Sequence, residues 1–212
     1  MHKTINESYG IINKNVGYRY LLSSPDNIDV NKKYPLIVYL SSAGCRGSIE
    51  AVKQESVCSW FKNHIPFYVL APVCPHNEIY DPDSVKYLID KTVAENPIDI
   101  NRLYVSGYSM GSRGCHNCLS EYPDLFAASV IVCGVSSYLV AAKYAHVPIH
   151  LFHGDKDEVV SINESLKIFH ALREHGGNPK FQVLKGFGHD IYEEVYGSTD
   201  TYRWLLSHSK KG

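Results

Sequence analysis

Leu103-Tyr104-Val105-Ser106-Gly107-Tyr108-Ser109-Met110-Gly111-Ser112 is the stretch on which the fold turns. Leu103 to Val105 reads as a strand, Ser112 to Tyr122 as a helix, and Gly107-x-Ser109-x-Gly111 stands between them. A turn that sharp forces the central serine into strained dihedrals and brings neighbouring backbone very close. Glycine is therefore needed on both sides, and the Ser109 Oγ is pushed out of the fold. In this strand–turn–helix setting Ser109 is the candidate nucleophile. The competing reading is an ordinary Gly/Ser turn.

Outward from that turn the chain alternates. Tyr18–Leu22, Tyr34–Leu40, Phe67–Val73, Ile100–Val105, Phe126–Val132, Val147–Phe152 and Phe181–Leu184 read as strands. Tyr34–Leu40 is almost continuously apolar, as a strand covered on both faces should be. Between them, helical spacing predicts helices over Ile49–Phe61, Asp81–Glu95, Ser112–Tyr122 and Ser165–Glu174, with a last one at about Thr199–Ser207. Asp81-Pro82-Asp83 has the cap, first-turn proline and early acid of a helix start. The alternation predicts an α/β architecture with a mostly parallel sheet and helices on both faces, as one domain over residues 1–212. Gly134 to Pro148 is too short for a substantial lid.

Composition excludes other classes. The 212 residues are 44% hydrophobic and 20% charged, with a formal net charge of −1. That balance does not suit a nucleic-acid or anionic-membrane partner. No apolar run approaches the ~20 residues of a membrane span. Met1–Glu7 lacks the apolar segment of a signal peptide, so the chain as given reads as cytoplasmic, with secretion after signal removal left open. A monomer or homodimer is expected. Of six cysteines (Cys45, Cys58, Cys74, Cys115, Cys118, Cys133), most lie in apolar runs. The expectation is free buried thiols rather than one of the fifteen possible disulfide pairings. Cys115-x-x-Cys118 has no second pair to complete a zinc site. It reads instead as part of a stripe, with Gly111, Gly114 and Leu119, that seats a helix against the sheet. No metal or cofactor is expected.

In a parallel sheet, functional loops gather at the carboxyl ends of the strands. Four loops leave such ends: 41–47, 107–111, 153–157 and 186–190. Together they hold what acyl transfer needs: Ser109 as nucleophile, His189 as base, and Asp157 to orient the imidazole and stabilise its charged form. Asp155 is the main rival for the acid. Glu158 and Asp190 also compete, and His153 reads as a loop-packing residue. Backbone N–H groups for an oxyanion should come from Met110, directly after the nucleophile, and from Ala43, with Gly44 next in line. Tyr108, Gly44, Tyr138, Ile191 and Tyr192 are candidate substrate-lining positions.

On these residues the chain resembles small α/β-hydrolase esterases, the feruloyl-esterase, acetyl-esterase and poly(3-hydroxybutyrate)-depolymerase-like proteins of the phospholipase/carboxylesterase kind. Leu36 to Gly47 (LIVYLSSAGCRG) is similar to their LIVFLHGAGERG. Asp99 to Gly111 (DINRLYVSGYSMG), Tyr122 to Ala128 (YPDLFAA), His153 to Val160 (HGDKDEVV), Gly188-His189-Asp190 and Tyr202-x-Trp204-Leu205-Leu206 match further motifs. The resemblance covers about residues 16–208. It implies the α/β-hydrolase fold and makes Asp157 the acid of the triad. It departs at Ser41-Ser42, where the family has His-Gly, and at Cys45, where it has Glu. That change is expected to reshape or loosen the oxyanion loop.

The expected activity is hydrolysis of small-molecule carboxylic esters, with short acyl or hydroxycinnamoyl groups that sugars could carry, through an acyl-enzyme. The alternatives are a serine peptidase or thioesterase with the same triad, or a non-catalytic relative that only binds.

Overall fold

The structure, a computed structural model, describes residues 14–55, 66–135 and 138–210. The described residues build a seven-stranded sheet. Its strands are β1 (Tyr20–Ser23), β2 (Tyr34–Leu40), β3 (Tyr68–Pro72), β4 (Ile98–Tyr108), β5 (Ala128–Val132), β6 (Ile149–Gly154) and β7 (Lys180–Leu184). They lie in the order β1-β3-β2-β4-β5-β6-β7. β1 runs antiparallel to β3, and the other pairings are parallel. This is the α/β-hydrolase fold, with β4 at the centre of the sheet.

β2 shows why the sheet needs cover on both faces, since all seven of its residues are buried. Leu36, Val38 and Leu40 point into one core with residues of α2 (Pro82–Glu95), α3 (Met110–Glu121) and α4 (Ile162–Glu174). Ile37 and Tyr39 point into a second core with Val52 of α1 (Ile49–Glu55), Val195 of α5 (Tyr192–Tyr196) and Leu205 of α6 (Thr199–Leu206). The two-residue period of a strand thus sorts one sequence into two layers. α2 starts where its sequence says it should: Asp81 is the N-cap, and its carboxylate accepts the Ser84 N–H at 2.9 Å.

Register places the site. Leu40 pairs with Gly107, Tyr108 with Val132, Val132 with Phe152, and Gly154 with Leu184. The carboxyl ends of β2, β4, β5, β6 and β7 therefore finish at about the same height, and the loops that leave them are neighbours. Among the described residues, three short elements escape the sequence reading: 3₁₀ turns at Ala43–Cys45 and Tyr138–Lys143, and the five-residue α5. Each is too brief to show a period. The predicted helix over Ile49–Phe61 is seen to Glu55, and its remainder, with Val57, Cys58 and Trp60, lies outside the described residues. Cys45, Cys74, Cys115, Cys118 and Cys133 are free and buried. Among the described residues, no helix is long and apolar enough to cross a membrane.

Candidate active site

β4 ends at Tyr108, and Ser109 follows with φ 55° and ψ −115°, a conformation that costs a non-glycine residue about 1–3 kcal/mol. Surrounding bonds hold it there. The Ser109 N–H donates to Val132 O (2.9 Å), and Ser112 Oγ reaches both Gly107 O (2.9 Å) and Val132 O (2.6 Å). The two flanking glycines are needed for space. A Cβ on Gly107 would stand 2.5 Å from the Gly111 carbonyl carbon, and one on Gly111 would stand 1.7 Å from Leu40 O. Gly111 thereby lets the start of α3 press on the end of β2. Gly111, Gly114, Cys115, Cys118 and Leu119 lie on the buried face of α3, as the stripe predicts, together with Ser112 and His116.

The loops after β6 and β7 are tied together by Lys156 N–H to Phe187 O (2.9 Å) and Gly186 N–H to Asp155 Oδ1 (2.6 Å). Asp155, the rival acid, is spent on that brace. Asp157 and His189 meet instead, with His189 Nδ1 to Asp157 Oδ2 at 2.7 Å. His189 Nε2 lies 2.9 Å from Ser109 Oγ. A carboxylate only accepts, so Nδ1 carries the proton and Nε2 is left free to accept from the Ser109 hydroxyl. Ser109 is half-buried, the His189 side chain is 13% exposed, and the Asp157 side chain is fully covered. Burial alone would raise the Asp157 carboxyl. The His189 N–H and the backbone N–H groups of Val160 and Val159 outweigh it and hold the carboxyl below its ordinary value.

A further histidine supports the acid. His153, wholly buried, places Nε2 2.9 Å from Val160 O and 3.1 Å from Asp157 Oδ2, while Nδ1 lies 2.8 Å from Ser165 Oγ. The carbonyl fixes Nε2 as the donor, so Ser165 donates to Nδ1. Loop packing, the sequence reading of His153, is therefore packing against the acid itself. Cys133, Asp157 and His153 each bring one potential metal-ligand atom within 4.8 Å of the others. Both His153 nitrogens are already engaged, which makes the cluster a support for the carboxylate. Burial, with Asp157 nearby, pushes the Cys133 thiol up to about 12.

The start of the loop after β2 packs on Gly111, beside the nucleophile turn. Met110 and Ala43 are the first residues of α3 and of the 3₁₀ turn. Helix starts leave N–H groups without intrahelical partners, and both expected oxyanion donors are of that kind. Ala43 and Gly44 are exposed. Both serines that depart from the family pattern are hydrogen-bonded. Ser41 N–H donates to Tyr80 Oη (3.0 Å), Ser41 Oγ lies 2.9 Å from the same oxygen, and Tyr80 donates on to Pro72 O (3.2 Å). Ser42 has φ −67° and ψ 172°, which needs no glycine, and Glu55 accepts from its N–H at 2.7 Å.

Of the lining candidates, Tyr108 is almost buried, its ring 5.2 Å from that of His189 and its hydroxyl donating to Asp190 at 2.6 Å. Asp190 is thus a tyrosine partner at the surface rather than an acid for His189. Tyr138 stands exposed in its 3₁₀ turn. Ile191 does not face the site. It is fully buried in the second core, because its N–H turns back onto His189 O at 3.0 Å and starts α5 at once. Tyr192, half-buried with its ring 5.4 Å from that of Tyr108, occupies the outward position.

Fold and site together define an α/β-hydrolase with the arrangement of a serine hydrolase, and comparison with known proteins narrows the class. Residues 137–212, which hold Asp157 and His189, match the prolyl oligopeptidase family. A thermostable esterase of known structure superposes with a TM-score of 0.83 at 28% identity, over 90% of this chain and 59% of that one. Feruloyl esterase B of Thermothelomyces thermophilus is 24% identical over 139 residues, 58% of this chain and 46% of that protein. The bifunctional acetylxylan esterase/xylanase XynS20E of Neocallimastix patriciarum is 30% identical over 84 residues, 40% of this chain and 12% of that protein. The chain spans less than half the length of either of these two curated relatives.

Proposed function

We propose that the chain hydrolyses carboxylic esters of short acyl or hydroxycinnamoyl acids, the alcohol side being one a sugar could supply. The observation that carries this is the unbroken relay from Ser109 Oγ through His189 to the buried Asp157, at 2.9 and 2.7 Å. The esterases among its relatives support the substrate class. Ser109 Oγ bonds to the ester carbon as its proton passes to His189 Nε2. The oxygen that gains the charge faces the N–H groups of Met110 and Ala43. Collapse breaks the bond to the alcohol oxygen, which takes the proton from His189. Water, losing its proton to His189, then attacks the acyl-enzyme and releases the acid and Ser109. Asp157 keeps the imidazole in one tautomer throughout and offsets its positive charge.

A peptidase uses the same steps on an amide, and the match of residues 137–212 to the prolyl oligopeptidase family favours that second reading. A panel of p-nitrophenyl acyl esters, methyl hydroxycinnamates and acyl-peptide anilides separates the two. Ester turnover at least a hundredfold above anilide turnover is expected, and the reverse preference rejects the esterase assignment.

A further inference from the structure

We infer that Glu55 is a positioning residue for the oxyanion loop, a carboxylate clamp that holds Ser42 and Cys45. The inference rests on the ester-hydrolase reading for its catalytic consequence. Glu55 ends α1, ten residues beyond the 3₁₀ turn. Its Oε1 accepts from the Ser42 N–H (2.7 Å) and from Tyr39 Oη (3.1 Å). Its Oε2 accepts from Ser42 Oγ and from Cys45 Sγ (3.3 Å). One side chain thus takes four donors, from the end of β2, the start of the 3₁₀ turn and its last residue.

The placement matters because Ala43 follows Ser42 directly. The peptide plane that carries the Ala43 N–H is joined on one side to a residue held through both its N–H and its hydroxyl. Cys45 fixes the other end of the turn. Ser42 is the N-cap of the turn, but its hydroxyl does not cap it. The hydroxyl is spent on Glu55 instead, so the aim of the Ala43 N–H is set from α1.

A carboxylate near an oxyanion site would repel the developing charge if its lone pairs faced it. Here both oxygens are turned onto loop donors, and the charge is absorbed there. The two effects predict opposite outcomes for Glu55→Gln. The amide keeps the volume and removes the charge, but offers one acceptor oxygen and sets its own N–H groups against donors. If positioning dominates, the rate falls. If repulsion dominates, the rate rises.

The experiment compares wild type, Glu55→Gln, Ser42→Ala and Tyr39→Phe. It measures kcat and KM on a p-nitrophenyl ester, inhibition by a trifluoromethyl ketone that forms a charged tetrahedral adduct, inhibition by the product acid, and hydrogen exchange at residues 42–45. Glu55→Gln should lower kcat about 10- to 100-fold, within the range of losing part of an oxyanion donor, with KM within about threefold. The ketone should weaken in proportion to kcat/KM, product inhibition should stay, and exchange at 42–45 should accelerate. Ser42→Ala and Tyr39→Phe should shift the same quantities in the same direction by less, and they decide the matter if Glu55→Gln does not fold. Unchanged kcat and exchange, a faster Glu55→Gln, or equal losses in ketone and product binding would overturn the inference. Exchange is read whether or not esters turn over. An inactive wild type with accelerated exchange in Glu55→Gln would therefore remove the ester-hydrolase reading and leave the clamp standing.

Discussion

His153 Nε2 lies 3.1 Å from Asp157 Oδ2, the same oxygen that receives the His189 N–H at 2.7 Å. Two histidines therefore address one carboxylate oxygen, one from the solvent side and one from the core. The buried one is already locked by Val160 O and Ser165 Oγ. Its Nε2–H goes to Val160 O, and the locked ring is a fixed wall against which Asp157 is seated.

If that seat matters, His153→Ala should reduce kcat about 10-fold and leave KM within about twofold, because orientation of the base is lost and ground-state binding is not. Steady-state kinetics with stability checked by denaturant melts would show it. A full-rate His153→Ala would mean that the two Asp157 Oδ1 bonds, from the backbone N–H groups of Val159 and Val160, suffice alone.

Gly111→Ala should destabilise the protein by about 3 kcal/mol or prevent folding, the upper range for forced overpacking. The added Cβ would meet Leu40 O at 1.7 Å, and a backbone oxygen cannot swing away. Urea unfolding measures the loss, and an unchanged midpoint would deny that α3 rests directly on β2.

Tyr108 separates ring from hydroxyl. Tyr108→Phe removes only the bond to Asp190, at a cost of about 1 kcal/mol in stability. The ring, 5.2 Å from that of His189, remains, so kcat should stay within about threefold. Tyr108→Ala also removes the surface against which His189 packs and should lower kcat about 10-fold further. Equal kinetics for the two variants would show that His189 does not need the ring.

His116 is a histidine outside the relay with a consequence for acid stability. It is buried on α3 with Nδ1 2.9 Å from Tyr144 Oη, and burial lowers its pKa from 6.5 to about 3. Between these values the unfolded chain binds a proton that the native protein refuses. Stability therefore rises with pH through this window and is lost as pH falls from about 6.5 towards about 3, by at most about 1.4 kcal/mol per pH unit. His116→Gln should flatten that slope in melts taken from pH 7 to 4, and an unaltered slope would place the acid sensitivity elsewhere.

How much of this was legible in the sequence follows from the range of each interaction. Gly107-x-Ser109-x-Gly111 is local, and its strain, glycines and following helix are all written within a few residues. Leu36–Leu40 is a continuous apolar run that states its own burial. The pairing of Asp157 rather than Asp155 with His189 depended on resemblance, since two carboxylates two residues apart differ only in where the turn aims them. The Glu55 clamp was not legible. No motif joins position 55 to position 42, and substitution at Ser41-Ser42 read as a loss when viewed without Glu55 and Tyr80. Ile191 was misread for a similar reason: an apolar residue beside the base belongs to the cleft or to the core according to whether the chain turns inward, and here it turns at once.

Ester hydrolysis as proposed requires Ser109, His189 and Asp157 to work as a unit on the ester carbonyl. The most direct measurement is kcat for hydrolysis of a p-nitrophenyl ester by wild type and by Ser109→Ala, each shown to be folded. A loss of about 10⁶-fold, down to the background set by binding and the oxyanion donors, is the predicted result. A Ser109→Ala protein within about 100-fold of wild type would mean that another group attacks the carbonyl, and it would contradict the account.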